Sequence, residues 1–370
     1  MRNIAIFGWY GHRNLGDEWI FEAAKGLLDR FGGEYTLTIY GDPYCIHDEH
    51  AVLHTRNIKS ILKDAWNCDA FFYAGGGAFP TKNNLKILFY VLVNAIYRLR
   101  HKPVICLGLS VESFHFESLL TRRLLKWFAA TSSLLSVRDQ STFSEFSRFF
   151  DARPAQLLLS PDTVFSWEGK RGQAPAGTYG IVALANLFHR VSDDGRQMRA
   201  FAEAIAVVLG KLEESGYAIH LTAFCEQDEE INRMVQTMLP EKTTWVHDYS
   251  ETDDQVFGLA ENASFVIGMR FHSLVLAQKA KRPYFAISYA SKCKGFMHDM
   301  HMDAYQVEFG TGEEEYLCKN IPLDPDEMYP LILEMLRDSD AVNEQLEENE
   351  RTIMEGVARL EDAFAQVLSE

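Results

Sequence analysis

Residues 265–296 read FVIGMRFHSLVLAQKAKRPYFAISYASKCKGF. The stretch opens on an unbroken apolar run, Ser264–Gly268, of the length and composition of a buried strand. His272–Lys279 then carries apolar residues at helical spacing, and Tyr284–Ser288 is a second β-rich run. Strand, helix and strand in this order make the repeating unit of a parallel sheet. The polar residues stand where the strands end. Arg270 and His272 follow the first strand, and Lys292 and Lys294 fall in the loop expected after the second.

The same alternation extends in both directions from this unit. Upstream lie strands Tyr179–Ala185, Ala218–Phe224 and Thr244–Val246, with helices Gln197–Ser215, Asp228–Met238 and one starting near Asp254. Before them the polar stretch EGKRGQAPAGT, residues 168–178, has no apolar periodicity and reads as a linker. A second series precedes the linker, with strands Asn3–Gly8, Tyr35–Tyr40, Ala70–Tyr73, Pro103–Gly108 and Leu134–Val137, and a first helix Glu18–Arg30. The pattern predicts an α/β protein of two Rossmann-like domains, 1–168 and 178–320, facing a cleft, with ligands beyond the carboxyl ends of the strands. Residues 321–370 form a C-terminal helical segment in this scheme, with a return onto the first domain as an alternative. They carry 14 acidic and 3 basic side chains, which suits a solvated helix face.

Composition narrows the class further. The chain has 370 residues, 47% hydrophobic and 24% charged, an ordinary globular balance for two domains. A net charge of −16 opposes broad attraction to nucleic acid or to an anionic membrane, although a local basic site can persist in an acidic protein. The longest apolar run, around Ile87–Val93, is too short to span a bilayer. The first residues, MRNIAIFGWYG, enter a strand without a signal-peptide pattern. Six scattered cysteines with no CxxC read as reduced thiols. Cytoplasmic placement is the expectation, with the inner face of the membrane as an alternative.

Arginine beside a helix start is a physical signature of anion binding. The first N–H groups of a helix lack intrahelical partners, and a guanidinium adds two parallel donors for phosphate or carboxylate. Arg270, His272, Lys292 and Lys294 together therefore mark an anion site at the ends of adjacent strands.

These residues also carry a resemblance to a known family, the polysaccharide pyruvyl transferases. Val266-Ile267-Gly268-Met269-Arg270-Phe271-His272 resembles the family's V-I-G-x-R-x-H. Pro283, Ile287-Ser288-Tyr289, Lys292 and Gly295-Phe296 follow its next motif, P-x-x-x-I-S-Y-D-P-K and G-F. The Asp and Pro of that motif are Ala290 and Ser291 here. Upstream, Gly8-Trp9-Tyr10-Gly11 with Asn14, Gly16 and Asp17 resembles the opening loop, and Gly75-Gly76-Gly77 the glycine triplet. Ser136-Val137-Arg138-Asp139 and Pro161-Asp162 resemble the S-V-R-D and P-D steps.

The resemblance implies a glycosyltransferase-B-like plan and transfer of a pyruvyl group from phosphoenolpyruvate to two sugar hydroxyls, as a ketal, in cell-surface glycan biosynthesis. It places Arg138, Arg270 and Lys292, with Lys294 as a substitute, on the donor, and makes His272 the general acid. Replacing Arg270 is then expected to abolish donor binding and leave the fold intact. Asn14, Asp17 and Gly75–Gly77 fall on the acceptor side, where Asn14 and Asp17 read equally as helix-capping residues and the glycines as a tight turn. Phosphoenolpyruvate is a co-substrate in this scheme, no cofactor or metal is implied, and the acceptor is a sugar or glycan, free or lipid-linked.

Two other functions share the pattern. A nucleotide-sugar glycosyltransferase or epimerase uses the same twin-Rossmann plan and a helix N-terminus at a diphosphate. A non-catalytic scaffold protein of a glycan-assembly pathway would tolerate the altered Tyr289–Lys292 segment. His47, His50 and His54 have the look of metal ligands but lack a completing acidic or thiolate motif. Helix Leu85–Arg100, with Arg122, Arg123 and Trp127 beyond it, reads as core and ordinary surface, with a peripheral membrane contact as the minority alternative.

Overall fold

Among the described residues, strands rich in Ile, Val, Leu and Phe alternate with amphipathic helices, and every strand pair is parallel. The computed structural model describes residues 1–41, 51–54, 57–75, 84–111, 119–149, 157–169, 172, 174–188, 195–239, 244–310 and 323–369. They form two compact units, Met1–Glu168 with Ile353–Glu370, and Gly169–Thr352.

The first unit contains β1 (Arg2–Phe7), α1 (Leu15–Phe31), β2 (Tyr35–Gly41), β3 (Ala51–His54), α2 (Ile58–Asn67) and β4 (Ala70–Ala74). It continues with α3 (Asn84–Leu99), β5 (Val104–Leu109), α4 (Leu119–Thr131), β6 (Leu134–Val137), α5 (Gln140–Phe149) and β7 (Leu157–Leu159). Among the described residues the sheet order is β3-β2-β1-β4-β5-β6-β7. The order reverses between β1 and β4, the switch point at which such sheets bind ligands. Helices α2 to α5 cover one face, where Ile61, Tyr90, Phe128 and Phe146 join Phe71, Tyr73 and Val104 of the strands in one core.

The second unit contains β8 (Tyr179–Ala183), α6 (Arg196–Glu214), β9 (Ala218–Thr222), α7 (Asp228–Met238), β10 (Thr244–His247), α8 (Tyr249–Asn262) and β11 (Phe265–Gly268). It continues with α9 (Phe271–Lys279), β12 (Tyr284–Ser288), α10 (Ser291–Asp299), β13 (Gln306–Glu308) and α11 (Pro325–Arg337). Its sheet order is β10-β9-β8-β11-β12-β13, which repeats the plan of the first and puts its switch point between β8 and β11.

The long helix α12 (Ser339–Ser369) belongs to both units. Its first half is fastened by buried amides: Gln278 donates to the Leu346 carbonyl (3.0 Å), and Asn349 donates to Gln278 (3.2 Å) and to the Met300 carbonyl (2.8 Å). From Ile353 onward it packs within the first unit, where Phe364 meets Phe72 edge-on at 5.3 Å and Glu361 accepts from Arg30 at 2.7 Å. Residues 323–369 therefore do not stand apart as one acidic segment.

Several boundaries differ from expectation. Helix α1 starts at Leu15, not Glu18, so Gly16 and Asp17 lie within its first turn. Helix α8 starts at Tyr249, where Asp248 caps it by accepting from the Glu251 N–H at 2.9 Å. Strands β8 and β9 stop at Ala183 and Thr222, which leaves short loops beyond both.

Candidate active site

At the end of β11, Gly268 lies directly against the first turn of α9. A Cβ there would come within 2.6 Å of the Leu274 and Ser273 side chains, because α9 turns back directly over the strand end. Arg270 occupies the N-cap position of α9 in an extended conformation, and its carbonyl accepts from the Ser273 N–H (3.0 Å) and hydroxyl (2.6 Å). Its guanidinium forms a bidentate pair with Asp228, with Nε to Oδ2 at 2.9 Å and Nη2 to Oδ1 at 2.5 Å.

Asp228 opens α7 and is wholly buried. It also accepts from the N–H groups of Asn186 (2.9 Å) and Cys225 (3.0 Å), so one carboxylate joins the strand-end loops after β8, β9 and β11. The Asn186 amide donates onward to Glu230 at 3.0 Å. Burial opposes the charge on Arg270, but Asp228 outweighs it and holds the guanidinium above its ordinary range. Burial raises the neighbouring Cys225 thiol, and Arg270 pulls it back in part. Sequence reasoning missed Asp228, Asn186 and Glu230. The only signal was the acidic triplet Asp228-Glu229-Glu230 at a helix start, which helix-dipole preference already explains.

His272 is the second residue of α9 and Lys292 the second of α10. Both helices start without a side-chain cap. The two helices pack together near these ends, with Phe271 of α9 against Phe296 of α10 at 5.6 Å and the Cys293 thiol directed at the Met269 carbonyl. Lys292 and Lys294 are thus helical, not in the loop expected after β12. Two positions apart on a helix, they face different directions. Lys294 reaches Glu308 at the end of β13, at 2.7 Å in a half-exposed pair.

In the first unit, the loop after β1 brings Asn14 and Asp17 to the switch point. Asn14 sits at the N-cap of α1, yet its amide donates to Asp17 Oδ2 at 2.7 Å and makes no capping bond. Gly11 takes φ 76° and donates its N–H to Glu18 at 2.7 Å. The Tyr10 hydroxyl bonds the Ala74 carbonyl, so this loop is tied to the end of β4 just before buried Gly75. Gly76 and Gly77 lie outside the described residues, as do His47 and His50, whereas His54 closes β3. Trp9, 54% exposed, stacks on His12 at 3.9 Å in the same loop, a feature not singled out from sequence.

Arg138 follows β6 and pairs with Asp162 at 2.7 Å, with side chains only 5% and 3% exposed. The S-V-R-D and P-D steps are therefore the two halves of one buried ion pair. Asp139 accepts from the Thr142 N–H at 2.6 Å and the Ser110 hydroxyl at 2.8 Å, and Ser136 bonds Ser160 at 2.5 Å. Arg138 belongs to the first unit, and Arg270, His272, Lys292 and Lys294 to the second.

Two Rossmann-like α/β units and a shared C-terminal helix define the glycosyltransferase-B-like class. Solved structures of similar fold include Anabaena HepE in complex with UDP and glucose, 13% identical over 100% of both chains with a TM-score of 0.58. Staphylococcus aureus MnaA with UDP is 10% identical over 94% of this chain and 91% of that one, with a TM-score of 0.58. The UDP-GlcNAc 2-epimerase of Neisseria meningitidis bound to UDP-GlcNAc is 7% identical over 97% and 100%, with a TM-score of 0.56. At such identities the likeness is one of fold. A search of curated proteins returns no matching sequence. The family model for polysaccharide pyruvyl transferase matches residues 14–291, and the chain belongs to that family and is a transferase.

Proposed function

We propose that the protein moves the pyruvyl group of phosphoenolpyruvate onto two hydroxyls of a sugar, forming a cyclic ketal and releasing phosphate. The observation that carries this reading is the placement of Arg270, His272 and Lys292 at the starts of α9 and α10, beyond the ends of the adjacent strands β11 and β12. Phosphoenolpyruvate bears a carboxylate and a phosphate, and uncapped helix starts with a fixed guanidinium suit both. Asp228 takes Nε and one terminal nitrogen of Arg270 and so sets the plane of the guanidinium.

The chemistry needs a proton on the methylene carbon, which turns the double bond into a methyl group and leaves an oxocarbenium-like centre. One hydroxyl adds there, the bond from that carbon to the phosphate oxygen breaks, and the second hydroxyl closes the ring. Of the two hydroxyl protons, one restores the acid and one leaves on phosphate. His272 is the proton donor in this scheme, since imidazole exchanges protons near neutrality. Asn14, Asp17 and the glycine triplet serve the acceptor, with Trp9 as an aromatic surface for a sugar ring.

The fold neighbours contain UDP, UDP-GlcNAc or UDP with glucose, so a nucleotide-sugar is the rival donor. Thermal shift with phosphoenolpyruvate and with UDP-sugars, followed by phosphate release and product mass with glycan acceptors, separates the two. Stabilisation by phosphoenolpyruvate and an acceptor-dependent release of phosphate are expected. Stabilisation by UDP-sugars alone would replace this reading with glycosyl transfer or epimerisation, and no turnover of either donor would favour a scaffold.

A further inference from the structure

The outward faces of α3 and α4 break the usual rule that solvent-facing helix positions are polar. On α3 the buried residues Ile87, Tyr90, Val93 and Tyr97 face the sheet core. Leu88, Leu92 and Leu99 fall on the opposite side at i, i+4 and i+11, a narrow stripe by helical geometry. Leu88 and Leu92 are each 44% exposed and Leu99 is 73% exposed. Helix α4 packs beside α3, with Asn94 donating to the Phe128 carbonyl at 3.1 Å. It exposes Leu119 (74%), Leu120 (65%) and Trp127 (38%).

The charge on these helices is of one sign. Arg98 on α3 and Arg122, Arg123 and Lys126 on α4 are accompanied by no acidic residue within either helix. This occurs in a chain of net charge −16. Apolar side chains rimmed by Arg and Lys, with a Trp among them, are the composition of a helix surface that lies in the lipid interface. No described helix is long and apolar enough to cross a membrane, so attachment here would be to one leaflet.

We propose that the exposed face of α3 and α4 docks the protein onto an anionic lipid bilayer, with the leucines inserted and the basic residues at the headgroups. The inference is independent of the reaction proposed above. The test is co-sedimentation of the full chain with vesicles of phosphatidylcholine alone and with phosphatidylglycerol added, at low and at high salt. Binding to the phosphatidylglycerol vesicles, weakened by salt, is expected. The double variant Leu119→Ser/Leu120→Ser and the double variant Arg122→Gln/Arg123→Gln should each lose roughly tenfold or more in bound fraction while melting like the wild type. Absence of binding, binding indifferent to the anionic lipid, or binding retained by both variants would overturn the proposal. Light scattering showing a dimer that the leucine variant converts to monomer, with no vesicle binding, would assign the face to a second copy of the chain instead.

Discussion

Arg270 and Asp228 show how one residue can serve structure and chemistry together. A simple view of Arg270 as an anion ligand predicts that its removal spares the fold. Its bidentate bond to a fully buried carboxylate corrects that, because Arg270→Ala would strand Asp228 without its countercharge. The converse variant is equally informative. Asp228→Asn should destabilise the second unit by about 3–5 kcal/mol, the usual result of breaking a buried pair from one side. A thermal melt checks this, and an unchanged midpoint would show that the pair contributes little. His272 is a cleaner probe of chemistry. His272→Gln keeps a neutral hydrogen-bonding side chain, so phosphoenolpyruvate affinity should largely survive while turnover falls roughly 10²–10⁴-fold. Loss of affinity with unchanged turnover of bound donor would make His272 a ligand and not the acid.

Elements decide which of the two lysines can serve. In sequence Lys292 holds the register of the motif, and Lys294, two residues on, stands as its substitute. Once α10 forms, that separation turns them away from each other, and Lys294 joins Glu308 of β13. Lys292→Ala should raise the KM for phosphoenolpyruvate about tenfold or more, whereas Lys294→Ala should stay near wild type, as exposed ion pairs contribute little. Steady-state kinetics on both variants tests this, and the opposite ranking would move the donor contact to Lys294. The same scale explains which strands were hard to find. Strands β3, β7 and β13 are three or four residues long and lie at sheet edges, so they lack the long buried apolar runs that mark β4, β5 or β12.

For the molecule as a whole, stability against pH depends on a histidine pair in the second sheet. His220 Nδ1 and His247 Nε2 lie 2.8 Å apart, on the paired strands β9 and β10, and His220 also stacks on Trp245. Burial, then the nearby His247, lowers the His220 pKa to about 4, and burial lowers that of His247 against the pull of Glu251 and Asp248. The folded state therefore holds neutral rings that the unfolded chain would protonate. Full stability is kept above the ordinary histidine pKa and is lost as pH falls from there toward the folded value. For His220 alone the loss should reach about 2 kcal/mol near pH 5, where most carboxylates are still ionised. Urea unfolding near pH 7.5 and pH 5 measures it. His220→Gln should flatten the slope, and an unchanged slope would remove the pair from the acid response.

The parallel α/β plan was legible in the sequence because it depends on local quantities. Apolar runs fix strands, helical periodicity fixes the connections, and Asp228–Met238 and Tyr284–Ser288 match their elements to the residue. Arg270 and His272 were legible for the same reason, as polar residues directly after such a run. Their surroundings were not. Asp228 and Arg270 are 42 positions apart, Arg138 and Asp162 are 24 apart, and nothing local says which acid answers which arginine. Nor could periodicity assign the two halves of α12 to different units, since both halves show the same amphipathic repeat. Strand order brings those partners together, and only the tertiary fold sets strand order, because every buried charge must find its counterpart across the sheet when water is removed.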